Sequence, residues 1–159
     1  MPLPEIIKRI RDMVAEVPNT GNVFEFRRWI TDRVTLEAEF FEPGTETVRF
    51  WEVWRRSAAR SYTKGNAEIT SVQTIVLDGY LGHKDAAESG KAFDLLVEAV
   101  IAKFNGNQDL RLNDNVPLAG VEEGEGLPQV VVVNHLQLAK KYLVHHVEIT
   151  LSVRELTNF

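Results

Sequence analysis

The chain has 159 residues, no cysteine and a formal net charge of -5, a length that suits one domain able to bury roughly two thirds of its unfolded surface without covalent staples. The absence of cysteine excludes disulfides, thiolate metal sites and a cysteine nucleophile and fits a reducing compartment, and the acidic balance argues against general binding to a nucleic-acid backbone, whose footprint is a surplus of Lys and Arg. No apolar run approaches the roughly 20 residues of a membrane helix and the opening MPLPEIIKRI lacks the apolar core of a signal peptide, so a soluble, unexported chain is expected.

From Pro4 to Val17, Ile6, Ile7, Ile10, Val14 and Val17 recur at helical spacing, with Pro4 in the first turn where a missing N–H costs nothing. Pro18 to Gly21 ends that helix. A second helix is expected from about Glu25 to Phe41, with Phe26, Trp29, Ile30, Val34, Ala38 and Phe41 on one side and Leu36 and Phe40 widening the stripe; Pro43 and Gly44 stop it. Val48 to Ser57 and Ile69 to Leu81 then read as the strands of one long hairpin, joined by a polar, basic connection containing Lys64, Gly65 and Asn66.

Asp85 and Glu88 form a D-x-x-E capping signal for a third helix, in which Phe93, Leu96, Val97, Val100, Ile101 and Phe104 share a face and Asn105 and Gly106 supply the stop. Residues 106–128 show no sustained period and read as a long loop, a kind of segment that is either functional or disordered in compact domains. Val130 to Val133 are apolar in succession. In the last strand Val147, Ile149, Leu151 and Val153 alternate with His146, Glu148, Thr150, Ser152 and Arg154, so this strand is expected to bury one face in the core.

The order α-α-β-β-α-β-β predicts a single α+β domain over residues 1–159, with a largely antiparallel sheet of four or slightly more strands packed with three helices. Two strands do not alternate cleanly. Phe50 and Trp54 oppose Trp51 and Val53, and the run from Val130 to Val133 wants cover on both faces, supplied either by helices on both sides or by a second protein surface. Trp29, Trp51, Phe93, Val97, Ile149 and Leu151 are the expected structural core.

No P-loop, G-x-G-x-x-G, H-E-x-x-H, G-x-S-x-G or EF-hand pattern is present, and Asn113, Asp114 and Asn115 lack the acidic offsets of a calcium loop. His145 and His146 are adjacent in a strand, so their side chains leave opposite faces and cannot ligate one ion together. His146 and Glu148 share a face, a match too short to define a site, and His83 and His135 add no recognisable spacing. No catalytic residue, cofactor or metal is expected. The aromatic faces of Trp51 and Trp54 define the alternative of a small-ligand-binding module.

Charge is segregated along the chain. Arg55, Arg56, Arg60 and Lys64 lie in a stretch without acids, whereas Asp109, Asp114, Glu122, Glu123 and Glu125 crowd the long loop around Arg111. A basic hairpin tip on one subunit and an acidic loop on the next would make a heterologous contact, which closes into a ring when the rotation permits. Arg55, Arg56, Arg60, Lys64, Asp114, Glu122, Glu123 and Glu125 are therefore the candidate subunit or partner interface.

Four stretches carry a family resemblance: Gly21, Val23, Arg28 and Trp29; Trp51, Val53 and Arg55; Gly79 and Tyr80 followed by Ser89 and Phe93; and Val144 to Glu148 continuing to Leu151 and Glu155. Together they resemble the tail-terminator proteins of tailed bacteriophages. The likeness spans most of the chain, departs in the acidic loop and at Trp54, and leaves a neighbouring role in neck, head–tail joining or tail completion open. What it implies is a non-enzymatic virion protein, assembled in the host cytoplasm, that forms a ring, typically a hexamer, on the head-proximal end of the tail tube. Such a ring stops tube polymerisation and docks the head-side connector or stopper protein. Its implied partners are further copies of itself, the tube protein, the connector and sheath protein, with DNA passing through the channel unbound and no membrane involved.

Overall fold

The computed structural model describes residues 3–28, 33–41, 47–63, 68–83, 88–105, 109–113, 116–121, 128–138 and 142–158. Helix α1 (Leu3–Ala15) carries Pro4 in its first turn and buries Ile6, Ile10, Met13 and Val14 along one face. Its end is tied by Thr20, whose hydroxyl lies 3.3 and 3.1 Å from the carbonyl oxygens of Val14, near the end of the helix, and Val17, in the turn that follows it. Gly21 follows with φ +75°, and a Cβ there would stand 2.2 Å from the carbonyl oxygen of Arg49. Glycine is what allows the chain to pass so close and enter a strand.

That strand, β1 (Asn22–Phe24), pairs in parallel with β2 (Arg49–Thr63). It corrects the expected second helix, because residues 25–28 are non-helical and α2 covers Arg33–Phe40. Leu36 and Phe40 turn inward, whereas Phe26 is 57% and Val34 74% exposed. The helical stripe through Phe26 fails because Asn22–Phe24 finds ladder hydrogen bonds on the free edge of β2, a tertiary opportunity that local periodicity does not encode. Trp29 and Ile30 lie outside the described residues.

The long hairpin is β2 and β3 (Glu68–Gly82), in antiparallel register from Arg49 opposite Leu81 to Thr63 opposite Glu68, with a bulge at Arg56. β3 pairs along its length with β7 (Tyr142–Asn158). The far edge of β7 is divided. Its first half pairs with β6 (Gln129–Leu138), while Val153 and Arg154 meet Val121 and Gly120 of β5 (Val116–Val121), which pairs with β4 (Asp109–Asn113).

The described sheet thus has seven strands, β1-β2-β3-β7-β5-β4 with β6 also on β7, and β1–β2 is its parallel pair. The fold is α+β, with a larger sheet than the sequence suggests. Residues 106–128 are not one long loop, since they contain β4 and β5. These strands are short and interrupted by Pro117 and Gly120, so they show no period of their own; the open second half of β7 supplies the edge that orders them.

Helix α3 (Ser89–Asn105) buries Phe93, Leu96, Val97, Val100 and Phe104. Glu88 sits at its entry with φ 51°, its carbonyl accepting the N–H groups of Lys91 (3.0 Å) and Ala92 (3.3 Å), so it is not inside the first turn as a D-x-x-E box requires. Asp85 lies outside the described residues. Among the described residues no helix is long and apolar enough to cross a membrane.

Strand alternation then builds two cores. On one face, Trp51, Val53, Ile75, Leu77, Val147, Ile149 and Leu151 pack with α1 and α3. On the other, Phe50, Tyr80 and Val144 pack with Leu36 and Phe40 of α2. The middle of the sheet is therefore covered on both sides within one chain. Trp51, Phe93, Val97, Ile149 and Leu151 are buried.

Candidate functional site

The outermost strand on the first half of β7 is β6, QVVVVNHLQL, and among the described residues β7 is its one strand partner. A bulge between Val130 and Val132 displaces Val131 from the ladder. Val130, Val131 and Val133 are 44%, 51% and 60% exposed, and Leu143, further along the same ladder on β7, is 44% exposed. Leu136 and Leu138, pointing to the other face, pack against the α2 core. An apolar strand with an open edge is a template for another chain, and proteins that remain single usually blunt such edges with charge or proline.

A second projecting surface is the outer half of the hairpin. From Arg55 to Tyr62 every residue of β2 is exposed, Tyr62 at 65%. Arg55 and Arg60 lie in this stretch. Arg56, the bulge residue, is exposed as well but is engaged within the subunit: its guanidinium pairs with Glu148 of β7 and lies 5.5 Å from the Trp54 ring centroid. Lys64, Asp114, Glu122, Glu123 and Glu125 lie outside the described residues.

On the α2 face the register aligns three carboxylates in one row, Glu52 opposite Asp78 and Asp78 opposite Glu148. Like charges placed opposite one another on a sheet repel, and Glu52 and Asp78 are each 4% exposed, so both need internal partners. Asp78 accepts from Trp54 Nε1 at 2.7 Å, and its other oxygen lies 2.9 Å from Nε2 of His146, whose Nδ1 is 2.8 Å from Asn134 Oδ1. Glu52 accepts the backbone N–H of Arg28.

Burial holds the Glu52 carboxyl above the ordinary glutamate range, opposed by the Arg28 N–H and reinforced by the charge of Asp78. Burial, followed by the charges of Asp78 and then Glu52, pushes the Tyr80 phenol far up and keeps it a neutral hydrogen-bonding group. Arg27 stands over the Trp54 ring at 4.5 Å. Each carboxylate of the row thus has a partner inside the chain: Arg28 for Glu52, Trp54 and His146 for Asp78, and Arg56 for Glu148.

On the α3 face, three histidines converge, His135 from β6, His145 from β7 and His83 from just past the end of β3. His135 is the cross-strand partner of His145, and His83, just past β3, donates its backbone N–H to Leu143 O at 3.0 Å. One ring nitrogen from each lies within 4.8 Å of the others. His145 also has Nε2 at 2.9 Å from Ser89 Oγ and its ring 5.6 Å from that of Phe93.

His145 and His146 do leave opposite faces, and each joins a different group. Strand register, not chain spacing, unites His83 and His135 with His145, and Glu52 and Asp78 carry no sequence signal beyond being polar in otherwise apolar strands. Trp51 is fully buried in the core, and Trp54 is half-buried between two arginines. No family model matches the chain, and no curated protein matches it either.

Proposed function

We propose that the chain is a ring-forming assembly subunit, a tail-terminator protein of a tailed bacteriophage, with no enzymatic role. The observation that carries this reading is β6, a ten-residue edge strand with Val130, Val131 and Val133 exposed. Such a surface is stabilised when a neighbouring copy covers it, and a heterologous contact repeated around an axis closes into a ring. The outer half of the β2–β3 hairpin, with Arg55 and Arg60, gives each copy a second projection for reaching its neighbour or the tube.

In this reading the mechanism is geometric. One ring face seats on the last layer of tube subunits, the other offers no surface for further tube addition and receives the head-side connector. The excess of acidic residues suits a channel through which DNA slides, because basic walls would gain free energy by counterion release and hold it. Action in the virion, after assembly in the host cytoplasm, belongs to the same proposal. The likeness in the Trp51, Gly79–Tyr80 and Val144–Glu148 stretches supports it.

The test is electron microscopy of the purified chain, alone and mixed with tail-tube protein. Closed rings of tube width seated at one tube end are the expected result. A chain that stays monomeric at high concentration and ignores tube ends refutes the proposal, and rings that form but bind only the connector would move the protein to another position in the neck.

A further inference from the structure

We propose that His83, His135 and His145 bind one divalent transition-metal ion, zinc foremost, through neutral imidazole nitrogens. The sheet alone brings them together. Leu81 opposes His145 across β3–β7 and His135 opposes it across β6–β7, so His83, two residues beyond Leu81, falls on the same face and the same end of the sheet. The ring centroids are 4.8 Å apart for His83–His145 and His135–His145, and 5.3 Å for His83–His135.

Zinc binds imidazole nitrogen at about 2.0–2.1 Å, which sets nitrogens in a tetrahedral site about 3.4 Å apart. The nitrogens here lie within 4.8 Å of one another, so closure asks for a modest rotation of the rings. His135 is exposed and has room to make it. Ser89, the first residue of α3, engages one nitrogen of His145 and orients the ring, the outer-sphere support that metal-bound histidines commonly have. An all-imidazole set suits zinc, copper, nickel or cobalt, whereas calcium and magnesium require oxygen donors. Three protein ligands leave a fourth position for water.

Bound metal would join β3, β7 and β6 at one point. Because β6 is held to the described sheet through β7, the ion would add a direct tie from this edge strand to β3 and stiffen the strand that carries the exposed valines. The site does not depend on the assembly reading.

The experiment is a calorimetric titration of the EDTA-treated, dialysed full chain with Zn²⁺, together with the visible absorption of Co²⁺. One ion per chain is expected, with a cobalt spectrum of nitrogen ligation and a rise in Tm on adding Zn²⁺. His135→Ala, at an exposed position, should keep the fold by circular dichroism and lose the titration and the Tm rise; His83→Gln is the second such variant. Ser89→Ala should weaken binding about tenfold, the scale of an outer-sphere partner. No binding by the wild-type chain, or binding of equal strength by the wild-type chain and both histidine variants, overturns the proposal.

Discussion

The indole ring of Trp51 occupies the space that a Cβ on Gly79 would fill: atoms of the ring stand 2.5 to 2.7 Å from that position, across the β2–β3 ladder. The glycine is therefore demanded by the tryptophan, and its own backbone conformation plays no part. Gly79→Ala should destabilise the fold by about 1–3 kcal/mol, as overpacking does. Denaturant unfolding measures this, and the double variant Trp51→Leu, Gly79→Ala should lose less than the sum of its single changes.

The Glu52 carboxyl gives stability a pH dependence of defined sign. Its folded-state pKa is raised, so its favourable contribution is complete below the ordinary value of 4.5 and is lost as pH rises through the folded-state value. Glu52→Gln keeps an oxygen for the Arg28 N–H and removes the ionisation. The stability of the variant relative to the wild-type chain should increase as pH rises above that range; parallel unfolding curves across pH would contradict the assignment.

Asp78 links Trp54 and His146 while repelling Glu52. Asp78→Ala strands the buried His146 ring nitrogen and the half-buried Trp54 N–H, at about 1–3 kcal/mol for the buried group and less for the other. Asp78→Asn retains a donor and an acceptor and should cost less. It should also lower the pKa of Glu52, visible by carboxyl NMR titration as ionisation at lower pH.

The cations of the hairpin are not equivalent. Arg56→Glu would set a like charge against Glu148 inside the subunit and should lower Tm. Arg60→Glu, on the exposed stretch, should leave Tm unchanged and weaken assembly in low salt by sedimentation velocity. If Arg60→Glu assembles normally in low salt, this part of the hairpin is not a charged contact.

For β6, the paired change Val131→Glu, Val133→Glu should leave subunit stability within about 0.5 kcal/mol, as exposed substitutions do. It should also abolish higher oligomers by sedimentation equilibrium. Oligomers that persist would mean that another surface joins the copies.

The elements with strong periodicity were legible in the sequence: α1, the face of α3, the long hairpin and the alternation in β7 all follow from the spacing of Ile6, Phe93, Ile75 or Ile149 with their neighbours. What was not legible depends on where a strand finds a free edge. Asn22–Phe24 pairs with β2, and Val116–Val121 with β7, for reasons located in the partner. The clusters obey the same rule. His145 and His135 are ten positions apart and His83 is far upstream, and only the pairing register makes them neighbours; likewise Glu52, Asp78 and Glu148 form a row only once three strands are aligned.

The position of β7 between β3 and the two branches beyond it has a consequence for biosynthesis. Until Tyr142–Asn158 emerges from the ribosome, the hairpin has no partner along β3, β6 has no strand to join, and Ile75 and Leu77 lack the neighbours that cover them. Until β7 docks, the core face of β3 is shielded only in part, which makes the nascent chain a natural client for a holding chaperone and places any joining of subunits after that docking.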